Sequence, residues 1–491
     1  MGLRMKKLTS CLAVSGAMNP KTLFRSIILR FPLLAGLLAG CMNQTPETST
    51  AQITLLPAET YQTIEHFGAS GAWWAQDVGG WEDEKRNRVV TLLFDQEEGI
   101  GLSLYRYNIG GGIANNIQDP WRTAETFEVS PGVYEWTRDA NAMWVLKAVK
   151  AEGVEHFVAF VNSPPARMTI SGFTTGEKDG KTNITPEMYD EFAQYMVDVV
   201  RHLRDEEEIP IGWISPVNEP QWDWNYTKGQ EGAHYGPTEV LEVTRALLRA
   251  IAADGLDVKV SVFESGEWKK SQVYIDKLLK DSEVAPQLDH IAVHSYWSKA
   301  EDKTPIVNFM ERNFPDVAIW QTEWTEMKEG RDVKMPSALV LANTIHEDLT
   351  LGGVTAWHYW IAVSRYLYRD GLIYVNLSDR EIIETKRLWV MGNYSRYIRP
   401  GYERVGVEVN SNGLSVSAYR SPASNLFVVV IINNETKPIT ANVAGMPEGF
   451  TQVSQHETSA QNDLAEVYAG AAKNVFTIPA ESVTTLVFAK P

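Results

Sequence analysis

Between residues 61 and 400 the sequence alternates eight times between a short apolar run and a longer amphipathic stretch, and no other feature restricts the fold as strongly. The runs lie at 101–108, 155–161, 211–217, 258–263, 289–295, 317–323 and 353–360, after a first one ending near Trp73. Helical spacing fills the intervals. Phe192, Met196, Val199, Val200 and Leu203 fall on one helix face behind Thr185-Pro186-Glu187, which reads as a cap with an N1 proline. Val240, Val243, Leu247, Leu248 and Ile251 repeat the pattern after Pro237-Thr238. Eight such units in about 340 residues predict an α/β fold, a (β/α)8 TIM barrel, although periodicity alone also admits an open doubly wound sheet.

After Pro400-Gly401 the texture changes to period-two strands, such as 426–432 and 483–488, with turn clusters at Asn410-Ser411-Asn412-Gly413 and Asn433-Asn434. Residues 401–491 therefore read as an appended antiparallel β-sandwich. The strand-like stretch 52–60 is expected to join it, which would bring the two ends of the chain together.

Residues 18–41 carry a basic start, an apolar middle and small residues before Cys41, the pattern of a signal peptide. Leu38-Ala39-Gly40-Cys41 resembles the bacterial lipobox, which predicts lipid attachment at Cys41 and an exported lipoprotein of the outer membrane. Translation starting at Met18 would give the same signal. Residues 42–51, rich in Thr, Ser, Gln and Glu, read as a tether. The two cysteines, Cys11 and Cys41, both precede the folded part, so that part has no disulfide, cysteine-ligated zinc or thiol nucleophile. Residues 1–40 supply six basic and no acidic side chains, so their removal shifts the net charge from −17 to −23. A charge of that sign repels nucleic acid and anionic membranes, leaving a neutral polymer as the easier partner and the lipid anchor as the membrane contact. A monomer is expected. The 16 Trp and 19 Tyr supply many flat apolar faces with polar edges, suited to sugar rings or to core filling.

Barrel active sites form where strands end at the C-terminal face, so polar groups closing apolar runs are the candidates. They are Arg106-Tyr107-Asn108, Asn162-Ser163-Pro164-Pro165, Asn218-Glu219-Pro220, His294-Ser295-Tyr296, Gln321-Thr322-Glu323 and Trp357-His358-Tyr359-Trp360. Glu219 and Glu323 end runs four and seven, across the barrel from one another. Glycosidic cleavage needs such a pair: one acid to protonate the leaving oxygen and one carboxylate to attack or stabilise the oxocarbenium carbon. No metal is expected, because His294 has no second histidine at ligand spacing, and no cofactor is called for. Glu264 and Glu326 read as hydrogen-bonding neighbours.

All of these segments but the last, together with Phe67-Gly68-Ala69-Ser70-Gly71-Ala72-Trp73-Trp74, Ile109-Gly110-Gly111-Gly112, Ser215-Pro216-Val217, Trp324 and the Gly392–Gly401 passage between barrel and sandwich, resemble glycoside hydrolase family 30. The resemblance implies a retaining mechanism with Glu219 as acid/base and Glu323 as nucleophile. It places Asn218 on the 2-hydroxyl of the reacting sugar, and Arg106 and Tyr296 on Glu323. Asn108 and His294 join them as substrate-site residues. Trp222 and Trp224 would give Glu219 an apolar setting, and Trp73, Trp74, Trp297, Trp357 and Trp360 are candidate sugar platforms. The segments Trp73-Trp74, Gln230-Glu231-Gly232 and Tyr368–Tyr374 look most like the endo-β-1,6-galactanase branch, whereas Arg365 and Arg369 could hold a glucuronate and turn the reading to glucuronoxylan. A β-1,6-glucanase of the same family is a further alternative. In a different class stands a surface glycan-binding lipoprotein without chemistry.

Overall fold

The computed structural model describes residues 49–112 and 116–491; the leader, with Cys11 and Cys41 and the lipobox, lies outside the described residues. Eight strand positions form one parallel sheet in sequence order: His66–Ser70, Leu104–Ile109, His156–Val161, Ile211–Ser215, the split pair Lys259–Val260 and Phe263–Ser265, His290–His294, Ala318–Glu323 and Ala356–Tyr359. They are called strands one to eight below. Strand eight pairs with strand one, so the sheet is a closed barrel rather than an open one. Closure on the far side runs through the two halves of strand five. Its first half pairs with strand four and its second with strand six, while Ser261 N donates to Ile214 O and Ala292 N to Val262 O across the break.

Strand three, His-Phe-Val-Ala-Phe-Val, is apolar on both faces and buried on both, as a parallel strand between a barrel interior and a helix layer must be. The helix Tyr189–Asp205 buries Phe192, Met196, Val199, Val200 and Leu203 and packs on strand four. Thr185-Pro186-Glu187 does not cap this helix. Pro186 opens a separate 3-10 turn, Pro186–Met188, and the Thr185 side chain makes no cap bond. The helix Pro237–Asp254 does start on its proline, with Gly236 N donating to Glu239 Oε2 at 2.6 Å, and it stops at Gly255 in the left-handed region. The first strand ends at Ser70, short of Trp73, which turns into the left-handed region at φ 68°.

The remaining large sheet has nine strands and is antiparallel apart from one pair. Its chain-initial member, Ser49–Thr63, runs antiparallel to Glu403–Val409 and parallel to Ile439–Ala444. The strand begins inside the stretch read as a tether because Ala51, Ile53 and Leu55 already alternate inward. The sheet rolls over so that its ends meet: Phe476 and Phe488 lie edge to face at 6.1 Å, and Gln455 Nε2 donates to Thr477 O. Leu426–Asn433 is buried on both faces. Phe427, Val429 and Ile431 enter the interior of the rolled sheet, while Val428, Val430 and Ile432 join the barrel core. Asn393, on the helix Lys386–Ser395, exchanges hydrogen bonds with the Thr485 hydroxyl at 3.0 and 2.8 Å.

Candidate active site

Strand order alone brings the polar strand ends together at one mouth of the barrel. Arg106, on strand two, is wholly buried with its guanidinium over the Phe160 ring, so its charge must be met by fixed acceptors. Its Nη1 donates to Glu323 Oε2 at 2.8 Å and its Nη2 to Asn218 Oδ1 at 2.9 Å. Glu264, on the second half of strand five, lies 3.5 Å from the same guanidinium. The Tyr296 hydroxyl donates to the other oxygen of Glu323 at 3.0 Å.

Glu219 follows strand four with φ 44°, a costly conformation for a side chain of its size and one more constrained before Pro220. Three hydrogen bonds hold it there: Glu219 N to Glu264 O at 2.9 Å, Trp224 Nε1 to Glu219 O at 2.9 Å and Trp222 N to Glu219 O at 3.2 Å. The result aims the carboxyl at Glu323. One oxygen of each, with a ring nitrogen of His294, lie within 4.8 Å of one another.

His294 sits beneath the pair, its Nδ1 3.3 Å from Glu219 and 3.8 Å from Glu323, and its Nε2 3.0 Å from Glu264. Burial alone would lower its pKa, but the Glu323 charge and the bonds to Glu219 and Glu264 outweigh that and raise it to about 9. Glu264 also pays a burial cost that would raise its pKa. Arg106, His294 and the Thr322 hydroxyl more than compensate and hold its carboxyl well below the usual carboxylate range. Burial pushes Glu323 above that range, against the pull of His294 and Arg106, and the charge of Glu219 adds to the push. Glu219, His294 and Glu323 are the one set among the described residues placed to hold a metal. With carboxylates on both ring nitrogens, the pocket of His294 fits an imidazolium rather than a metal-ligating neutral ring.

A cleft of ≈ 340 Å³ opens over this cluster, lined by Asn162, Asn218, Glu219, Tyr296 and Glu323 and walled by Trp73, Trp222, Trp224, Trp297 and Trp360. Trp73 and Trp360 meet edge to face at 5.0 Å, and Trp222 and Trp297 at 5.7 Å, so four rings stand as two corners of the groove. Two expected platforms are not there. Trp74 is fully buried with its indole N–H on Ser70 O, and Trp357 is fully buried with its N–H on Asp348 Oδ2. Both fill core because they sit one residue away, on the opposite face, from side chains that point into the barrel or its mouth. Asn108 stands one layer behind the cleft, its Oδ1 accepting from the cleft residue Asn162 at 3.1 Å. Glu326 pairs with Arg369 at 3.0 Å, away from the reacting groups. Met327 and Lys228 line the cleft without any sequence signal, since neither closes an apolar run.

Two buried carboxylates with oxygens within 4.8 Å of one another, at the ends of strands four and seven of a barrel beneath an aromatic groove, fit the class of glycosidase that works with a facing pair of acids. The sequence profile described as O-glycosyl hydrolase family 30 matches residues 50–374. The chain is 24% identical over 405 residues to an endo-beta-1,6-galactanase of Hypocrea rufa, covering 76% of this chain and 80% of that one. It is 25% identical over 337 residues to the glucuronoxylanase XynC of Bacillus subtilis (strain 168), covering 66% and 72%. The structure of a conserved exported protein from Bacteroides fragilis superposes with a TM-score of 0.78 at 26% identity, over 89% of this chain and 99% of that one. The chain belongs to glycoside hydrolase family 30 and is a retaining O-glycosyl hydrolase.

Proposed function

We propose that the enzyme cleaves a neutral β-1,6-linked galactan in mid-chain, with Glu219 as acid/base and Glu323 as nucleophile. The observation that carries the role assignment is the unequal set of donors. Glu323 receives Arg106 and Tyr296, which stabilise its negative charge, while Glu219 meets only the shared His294 among the described residues. A charge count points the same way. Glu219, Glu264 and Glu323 offer three negative charges and Arg106 and His294 two positive ones, so a neutral buried cluster keeps one proton on the Glu219–Glu323 pair. Acid catalysis assigns that proton to Glu219, the carboxyl that receives neither Arg106 nor Tyr296. Glu219 then protonates the glycosidic oxygen as Glu323 attacks the anomeric carbon, giving a glycosyl ester. A water molecule, deprotonated by Glu219, releases the sugar and restores both groups. In this reading Asn218 holds the 2-hydroxyl, which the bond from Arg106 to its Oδ1 supports by fixing the amide.

The galactan reading draws on the similarity to the Hypocrea rufa galactanase and on the state of the two candidate glucuronate clamps. Arg365 is bonded to Asp119 and Arg369 is paired with Glu326, so neither presents a free charge. Incubation of the purified protein, its Glu219→Gln and its Glu323→Gln variants with β-1,6-galactan, glucuronoxylan, β-1,6-glucan and arabinogalactan tests the whole reading. Cleavage of β-1,6-galactan by the parent, spared by both variants and unaffected by excess chelator, is expected. Cleavage of glucuronoxylan or β-1,6-glucan instead would move the substrate to that branch, and full activity in either variant would overturn the roles.

We also propose that the protein is an exported monomer held to the outer membrane through lipid on Cys41, with 42–48 as its tether and the division near 400 separating barrel from side domain. The basic and apolar leader and its lipobox support this. Palmitate labelling in a bacterial host should mark the parent and not Cys41→Ala; equal labelling would refute it.

A further inference from the structure

Beyond the corner formed by Trp73 and Trp360 the groove continues into a second hollow of ≈ 470 Å³, which shares Trp73, Gln230, Met327 and Trp360 with the first. Its lining includes Asp370, only 7% exposed, whose Oδ1 has no hydrogen-bond partner among the described residues. A buried acceptor left unpaired costs about 1–3 kcal/mol, so a carboxylate with an unpaired oxygen in the wall of a hollow is suited to a donor from outside the chain. The segment that carries it is fixed. Ile361 N donates to Asp370 O at 3.2 Å, Arg369 N donates to Lys328 O at 2.9 Å, and a Cβ on Gly371 would meet Ile373 O at 2.5 Å.

The charges around the hollow decide what donor it takes. Arg122 and Glu329 line it with Asp370. Arg122 is spread between two rings, 5.0 Å from the Trp73 centroid and 4.7 Å from that of Tyr366, and its Nε donates to the Tyr366 hydroxyl at 3.1 Å. The neighbouring Arg331 is spent on the carbonyls of Tyr366 and Arg365. Behind Asp370, Arg387 is buried and donates to Gly371 O and the Tyr374 hydroxyl. With Arg365 and Arg369 already paired to acids, the hollow offers a carboxylate acceptor beside aromatic faces, and two acids against one engaged cation. That combination suits the hydroxyls and apolar face of an uncharged pyranose and opposes a carboxylated one.

Its position gives the direction of the bound chain. Glu219, on the leaving-group side, stands by Trp222 and Trp297, whereas the hollow lies on the opposite flank, over the loops that follow strands seven and eight. We propose that Asp370 is a specificity-determining residue of a distal glycone subsite, accepting hydroxyl hydrogen bonds from a neutral hexopyranose and rejecting a uronate there. The proposal rests on the hydrolase reading above and names the substrate feature that the site selects.

Native gels containing linear β-1,6-galactan or glucuronoxylan test it by retardation of the Glu323→Gln protein, alone and with Asp370→Asn or Asp370→Leu. Galactan should retard the parent more than glucuronoxylan. Asp370→Leu should weaken the galactan affinity about tenfold, and Asp370→Asn, which keeps an acceptor and loses the charge, should weaken it less and improve retardation by glucuronoxylan. In the active enzyme, the ratio of kcat/KM between the longest and shortest oligosaccharide cut should fall about tenfold in Asp370→Leu. Unchanged retardation, a loss equal for short and long oligosaccharides, or stronger retardation of the parent by glucuronoxylan would overturn the proposal. If Asp370→Leu fails to fold, Asp370→Asn decides by its glucuronoxylan response. Failure of the parent to hydrolyse any polymer would count against the hydrolase reading alone, because the gels read binding.

Discussion

Gly266 stands against the end of the Glu219 side chain. A Cβ there would lie 2.5 Å from Glu219 Oε1 and from Gln221 Nε2, both at the far ends of side chains that can move. Gly266→Ala should therefore leave the melting temperature nearly unchanged and lower kcat at least tenfold by displacing the acid, measured by thermal denaturation beside initial rates. Trp73 and Trp74 make the opposite contrast. Trp74→Ala should cost about 3–5 kcal/mol of stability as a core truncation and leave KM for polymer unchanged, whereas Trp73→Ala should raise KM as well as lower stability; an unchanged KM in Trp73→Ala would contradict the assignment. Nothing in the sequence separates these neighbours, because the left-handed turn at Trp73 that sends them apart follows from packing and not from residue type. The position of the proposed catalytic pair at the mouth was legible for the reverse reason. Glu219 and Glu323 each close an apolar run, and barrel geometry assigns such positions to the mouth.

Strands show the same division between what a pattern reveals and what only assembly decides. Strand three is an uninterrupted apolar run and its bounds were clear, but strand five divides between Val260 and Phe263, so Glu264, the acid that anchors both Arg106 and His294, falls just past the run expected at 258–263. A strand with a break has no period to extrapolate. Leu426–Asn433 has the opposite character: it is apolar at nearly every position because it serves two cores at once. Val430 faces the barrel and Val429 the rolled sheet, so an aspartate at either site is buried without a partner. Val430→Asp should destabilise by several kcal/mol and detach the side domain's packing, seen as a broadened or biphasic calorimetric transition, while a single sharp transition at the parental temperature would contradict the two-faced role.

At the scale of the molecule, buried titrating groups set a pH window. Burial lowers His66 far below its ordinary value, His346 and His456 to about 4, and His358, helped by the Arg106 charge, to about 3. The unfolded chain protonates these four below about pH 6.5 while the folded one resists, so each removes up to roughly 1.4 kcal/mol of stability per pH unit as the pH falls. Asp139 and Glu231, raised by burial to about 8, and Asp370, raised by burial to about 6, act in the other sense from about pH 4 upward and offset part of this loss. Above about pH 6.5, His294 joins them: its raised pKa stabilises fully below the unfolded value, and that contribution is lost as pH climbs to about 9. Denaturant melts across pH should peak near about 6.5, and a maximum below 5 would show that the buried histidines are not neutral. Removal of residues 402–491 would take Val428, Val430 and Ile432 out of the barrel core and leave Asn393 without its partner Thr485, and should give insoluble protein, not a soluble barrel with weaker polymer binding.

The strand at Ser49–Thr63 has its only partners in Glu403–Val409 and Ile439–Ala444, among the strands of its sheet. The earliest folded segment to be made thus waits for some of the last. A chain threaded N-terminus first through a narrow channel cannot complete this sheet until its final tenth has come through, and until then the long-range contacts that would lock it shut are missing. Order of synthesis, and not stability alone, keeps such a chain pliable for the duration of its passage.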